Sequence, residues 1–212
     1  MSDAPRRPNI LFFFTDQQRW DTVGAYGQPL AVTPNLDRMA AEGVRFARAF
    51  TPQPVCGPAR AVLQTGTYAT ETGCFRNAIA LPTDERTIAH HARAAGYEVG
   101  YIGKWHLATT KEGERTLVDH ETGPVPPEYR GGWDDFWVAS DVLEHTSHSY
   151  DGHMFDGDGN RVAFPPGRYR ADCLTDHAVE FLRTRSGDKP FFLFVSYIEP
   201  HHQNDHGRYE GP

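Results

Sequence analysis

Two almost unbroken apolar runs, "NILFFFT" at 9–15 and "PFFLFVSYI" at 190–198, constrain the fold of this chain most strongly. A strand with one face in water alternates polar and apolar side chains. A strand with scarcely a polar residue needs cover on both faces, as in a parallel sheet held between two layers of helices. "VRFARAF" (44–50) and "YEVGYIG" (97–103) read as two further strands. Helical patterns fall between them. "TPNLDRMAAEG" has Thr33 as N-cap, Pro34 in the first turn and Gly43 as its stop. "TDERTIAHHARAAG" repeats the plan with Thr83 as cap and Gly96 as stop, and "RYRADCLTDHAVEFLRTR" puts Leu174, Ala178, Phe181 and Leu182 on one face. The alternation predicts an α/β fold of three layers, α/β/α, around a largely parallel central sheet.

The stretch 109–166 breaks this rhythm. It is rich in Gly, Pro, His and Asp, only "GGWDDFWVA" within it resembles a strand, and it reads as an irregular functional insertion. "DGDGN" (156–160) begins like a calcium loop, but Arg161 and Gly167 stand where such a loop needs its Gly and its Glu, so a hairpin turn fits better.

Charge and cysteine usage exclude several classes. A formal net charge of -7 lacks the basic excess of a nucleic-acid binder. Three cysteines (Cys56, Cys74 and Cys173) cannot all pair, and none forms a C-x-x-C zinc spacing. Five apolar residues after Arg6 and Arg7 are too few for a secretory leader, and no run is long enough to cross a bilayer. These features predict a cytoplasmic protein.

Polar residues then gather where the strands end. Asp16 and Gln17 come after the first run, Lys104 and His106 after the third strand, and Glu199, His201 and His202 after the last. Singly, each has an ordinary reading as a turn cap, a solvated lysine or a surface histidine. Together they mark the carboxyl ends of a parallel sheet, where such folds bind ligands. Between them lies "PVCGPARAVLQTGTY". Pro58 suits a first helical turn, so Cys56 sits at a helix N-terminus beside free N–H groups, and Arg60 comes one turn on as a fork able to hold an oxyanion. That arrangement favours an anionic nucleophile or a bound sulfate or phosphate.

"CGPAR" fits the C-x-P-[S/A]-R modification motif of type I sulfatases, and "LQTGTY" resembles that family's usual continuation of the motif. "NILFFFTDQQRWDTVGAYG" resembles the family's metal-binding segment, "GYIGKWHLA" its Lys-Trp-His block, and "YIEPHHQ" its Pro-His segment. The resemblance implies an alkaline-phosphatase-like fold and hydrolysis of sulfuric esters on small molecules or carbohydrates. It implies that a separate formylglycine-generating enzyme oxidises Cys56 to Cα-formylglycine, whose hydrate attacks sulfur. Asp16, Gln17 and modified Cys56 would be ligands of a divalent cation, usually Ca2+, with Mg2+ or Mn2+ as alternatives. Arg60, Lys104, His106 and His201 would complete the catalytic group, with His201 as acid for the leaving oxygen. Asn77 and His202 would touch substrate.

Two departures from the family matter. Its commonest metal-binding pair is Asp-Asp, and Asp16-Gln17 resembles instead a subset that includes phosphonate monoester hydrolases. Phosphonate monoesters or phosphodiesters therefore stand as alternative substrates, with a non-catalytic anion-binding relative as a third reading. Family members are also more than twice as long, with a second pair of metal ligands in a "DHG"-like block. Asp205-His206-Gly207 comes too soon after His201 to be that block. The chain thus reads as residues 1–212 of the N-terminal part of a sulfatase catalytic domain, expected to be inactive alone and to carry an unprotected sheet edge.

Overall fold

The computed structural model describes residues 7–113 and 115–203. Asp205, His206 and Gly207 lie outside the described residues. Strands among the described residues are Ile10–Phe14 (β1), Glu98–Lys104 (β2), Thr110–Glu112 (β3), Arg115–Val118 (β4), Phe136–Ser140 (β5), Ser147–His148 (β6), Asp151–Asp156 (β7), Arg161–Ala163 (β8) and Phe191–Ser196 (β9). The helices are Pro34–Glu42 (α1), Cys56–Thr65 (α2), Ala69–Thr72 (α3), Ile88–Ala94 (α4), Leu143–Thr146 (α5) and Arg170–Thr184 (α6).

The main sheet runs β1-β9-β2-β5-β7-β6, with β8 also paired to β7. Its first four strands are mutually parallel, and β7 then turns antiparallel against β5. Strand β9 sits in the middle with all six residues buried, and its side chains alternate between two cores. Phe192 and Phe194 enter one core with Ala61 of α2 and Ala89 of α4; Phe191, Leu193 and Val195 enter the other with Leu174, Ala178 and Phe181 of α6. This is the three-layer arrangement that the apolar runs require.

Register is held by an aromatic ladder across the four parallel strands. Phe12 pairs with Phe194, Phe194 with Tyr101, and Tyr101 with Trp137. The ring centroids stand 4.7, 5.0 and 5.4 Å apart along that row, each pair stacked. Each contact adds roughly 0.5–1.5 kcal/mol beyond its buried area. At Gly103 the backbone comes so close to β9 that an added Cβ would lie 2.0 Å from the Ser196 carbonyl oxygen, and φ is +101°. Only glycine fits that approach.

Several expectations need correction. Residues 44–50 form no strand; Val44, Phe46 and Phe50 are exposed. Their alternation has no neighbouring strand to pair with, and β preference is mostly packing against neighbours. The segment is instead tied to the 24–26 turn, where Tyr26 Oη donates to the Phe46 carbonyl and Arg45 to that of Ala25. The cap of α4 is Thr87, not Thr83: its hydroxyl accepts from Ala89 N, while His90 Nδ1 accepts from Thr87 N. Leu182 is exposed, because α6 turns it past the edge of the core.

The region 109–166 is more regular than its composition suggests. It holds the β3–β4 hairpin and four strands of the main sheet, and 156–160 is the turn between β7 and β8. Among the described residues, strand β1 lies at the sheet edge, with Leu11 and Phe13 exposed.

Candidate active site

Parallel register brings the carboxyl ends of four strands level. Phe14 is opposite Ser196, Ser196 is opposite Gly103, and Lys104 is opposite Ser140. The residues just beyond these ends therefore share one shelf, as parallel sheets provide. Helix α2 starts above it. Cys56 is its first residue, and the Cys56 thiol lies 3.7 Å from Asp16 Oδ1.

A buried charge cluster underlies the thiol. Asp16 Oδ2 accepts from Arg60 Nη2 at 3.0 Å and from Lys104 Nζ at 2.8 Å. Lys104 also pairs with Glu144, a residue that no sequence motif marks. Arg60 Nη1 donates to the Lys104 carbonyl at 2.7 Å and to Ser196 Oγ at 2.8 Å. Two cations thus meet two carboxylates within the protein, the condition under which buried charge is tolerated. Burial alone would raise the Asp16 carboxyl, but Arg60 and Lys104 outweigh it and hold it well below the usual carboxylate range.

Three sequence expectations change here. Arg60 is not a wholly open fork: three of its five N–H donors go to Asp16, Ser196 and the Lys104 carbonyl, and it fixes Asp16. The first-turn donor at Gly57 is not free, because Asn77 Oδ1 accepts from it at 2.8 Å. Cys56 does not favour the anion either. Burial pushes its thiol up against the pull of Lys104, and Asp16 adds to the rise. A bare thiolate is disfavoured.

His106 has φ +61°, and its Nδ1 is buried without a hydrogen-bond partner among the described residues. Burial, then the nearby Lys104 and Arg60, depress it to about 3, so its ring is neutral at neutral pH. His201 stands across a cavity of about 990 Å³ that Asp16, Gln17, Cys56 and Arg60 also line. Its Nδ1 lies 2.7 Å from the His202 carbonyl oxygen, which can only accept, so Nδ1 carries the proton and Nε2 is the free nitrogen. The exposed His202 ring stacks on it. Gln17 is exposed with φ +57°. Asn77 caps α2 and is absent from the cavity wall.

The donor set near Asp16 can be matched against a divalent cation. Asp16 Oδ1 holds only the long thiol contact, and the amide of Gln17 is adjacent and exposed; both are hard oxygen donors suited to Ca2+ or Mg2+. Thiolate sulfur suits softer ions, whereas an oxygen at that position would make the set uniform. These residues fit one side of an oxygen site. Among the described residues no group of three or more His, Cys, Asp or Glu side chains forms a complete one.

Known proteins resemble this chain. The family model for Sulfatase matches residues 8–212. An ulvan-active sulfatase from Formosa agariphila is 37% identical over 94% of this chain and 36% of its own length. Human arylsulfatase A is 40% identical over 96% of this chain and 43% of its own. The chain therefore spans well under half the length of these curated relatives. A protein solved in complex with its substrate D-glucosamine-2-N,6-O-disulfate superposes with a TM-score of 0.75 at 31% identity, covering 92% of this chain and 35% of that one.

Proposed function

The chain belongs to the sulfatase family, and from that premise we propose that it supplies the N-terminal part of a catalytic domain that hydrolyses sulfuric esters of carbohydrates. The observation that carries this reading is the Cys56–Asp16 contact above the Arg60 and Lys104 cations. It puts the motif cysteine where a thiolate is disfavoured and where an oxygen nucleophile would meet a carboxylate.

Asp16, Gln17 and modified Cys56 would hold a divalent cation, Ca2+ as the family resemblance implies or Mg2+, with further oxygens from outside the described residues. The bound cation supplies positive charge at the sulfate oxygens, and Cα-formylglycine at position 56, made by a separate maturation enzyme, supplies the attacking hydroxyl.

The remaining residues have distinct tasks. Arg60 holds Asp16 in place through a buried ion pair. Lys104 adds a fixed positive charge beside the nucleophile, where transition-state anion develops. His106, neutral and buried, gives or accepts a hydrogen bond without adding charge. His201, with Nδ1–H turned to the His202 carbonyl, protonates the leaving oxygen from Nε2 only as the imidazolium, in which both ring nitrogens carry a proton. His202 stacks on the His201 ring and, like Asn77, is absent from the cavity wall. The wall formed by Phe50, Pro52, Pro54 and Val55 gives the cavity an apolar flank for the ester's organic part.

The test is the mass of the tryptic peptide Ala49–Arg60, "AFTPQPVCGPAR", from protein made in its native host, together with turnover of an aryl sulfate and an aryl phosphonate by the full-length form. An aldehyde or its hydrate at Cys56 with sulfate ester cleavage is expected. An unmodified thiol would sink the formylglycine mechanism, and faster phosphonate cleavage would move the assignment to the other ester class.

A further inference from the structure

Glu144 belongs to none of the blocks that resemble the sulfatases, yet it meets the most buried charge in the site. Lys104 has no exposed side-chain surface, and its ammonium is shared between Asp16, just beyond β1, and Glu144, on α5. An ammonium has three N–H donors. Two are committed to carboxylates on separate elements, which fixes rotation about the Cε–Nζ bond and so the direction of the third.

Glu144 is itself held from several sides. Its helix begins three residues after Ser140, the register partner of Lys104. Thr146 Oγ1 and Ser147 Oγ both donate to the Leu143 carbonyl, closing that short turn. The Glu144 carbonyl accepts from Gln203 Nε2 at 3.0 Å; Gln203 Oε1 accepts from Arg170 at 2.8 Å; Arg170 Nε donates to Glu199 at 2.9 Å. A continuous row of polar contacts thus runs from Glu199, two residues before His201, to Asp16. The second carboxylate oxygen, Oε2, is buried with no hydrogen-bond partner among the described residues.

We infer that Glu144 is a positioning residue for the sulfuric ester hydrolysis proposed above: it divides the Lys104 ammonium with Asp16, aims the remaining N–H, and ties that aim to the segment carrying His201. The inference rests on that reading for its substrate. Charge alone argues the opposite way. A carboxylate near a sulfate group repels it, so a Glu144 that contributed only charge would weaken anion binding, and neutralising it would tighten binding.

The opposing signs make the test. In the full-length protein, Glu144→Gln and Glu144→Asp are compared with wild type for calorimetric binding of inorganic sulfate and for hydrolysis of an aryl sulfate. Positioning predicts that E144Q binds sulfate about 10-fold more weakly, despite losing a negative charge, and that kcat/KM falls about 100-fold, as loss of a charge-assisted contact implies. E144D, which keeps the charge on a shorter stem, recovers part of both. E144Q that binds sulfate as well as wild type, or more tightly, overturns the inference. A merely structural role would lower the melting temperature and leave the affinity of folded protein unchanged. Should E144Q not fold, E144D decides alone: weaker sulfate binding supports positioning, and unchanged binding overturns it. If wild type turns over no aryl sulfate, the function proposed above fails, while the sulfate-binding ratio still decides the role of Glu144.

Discussion

Strands β1 and β9 are nearly interchangeable as sequences and pair directly, yet they occupy different environments. All six residues of β9 are buried between two helical layers. Strand β1 packs Phe12 and Phe14, half-buried, against one core and leaves Leu11 and Phe13 exposed on its other face. Composition reports how greasy a strand is; position in the sheet decides how much of that grease is covered. The edge strand nevertheless delivers Asp16, the residue on which Arg60, Lys104 and Cys56 all converge. The charged site is therefore anchored on a central strand at one side and on an edge strand at the other.

Substitution at each side sharpens that contrast. Asp16→Ala has the largest expected effect: it leaves Arg60 and Lys104 buried with one carboxylate fewer, costs about 3–5 kcal/mol in urea unfolding, and under the proposed function ends turnover by the full-length protein. Phe194→Ala on β9 is next, at about 3 kcal/mol or more, because it cuts the aromatic ladder at its centre. Phe13→Ala, on the exposed face of β1, is expected to cost less than about 1 kcal/mol, since the side chain is largely in solvent with the Tyr197 ring against it. Equal losses from the two phenylalanines would break the distinction between the strands.

A separate effect concerns pH. His106 titrates near 3 in the fold and near 6.5 when unfolded, so the unfolded chain takes up its proton first as the solution is acidified. Its contribution is full above about pH 6.5 and declines as pH falls towards the folded value. Urea midpoints from pH 7 to pH 4 should drop, and His106→Asn, which tolerates the left-handed backbone there, should flatten the slope without abolishing it. His90, His153 and His177 are depressed by burial in the same direction and add to the remainder, as does Glu144, whose carboxyl, despite burial, is lowered by Lys104.

Much of this was legible in the sequence because it is local. Apolar runs gave β1, β2 and β9, and Pro58 after Cys56 gave the start of α2. The misplaced strand at 44–50 had a strand-like pattern and no partner, a fact that alternation cannot carry. Thr83 and Thr87 are both plausible caps four residues apart, and they are separated by the Thr87 hydroxyl accepting from Ala89 N and the His90 side chain returning to Thr87 N. Glu144 was invisible for a different reason. A single Glu in "DVLEHT" carries no motif, and its contact with Lys104 exists only because β5 lies beside β2. Arg60 was found as a cation, but its partners, Asp16 and Ser196, come from two other strand ends and had to be seen folded.

The ladder of stacked rings has one more consequence. Sliding β2 by a single residue against β9 would turn Tyr101 out of its row and carry Lys104 to the other face. Such a molecule could stay compact, but it would lack the ammonium beside Asp16 and be chemically silent. Under the proposed function, catalysis by the full-length protein would be confined to chains whose strands have locked one way. Specific activity would become a census of correctly aligned molecules, a tally that circular dichroism, blind to a one-step slip, would overcount.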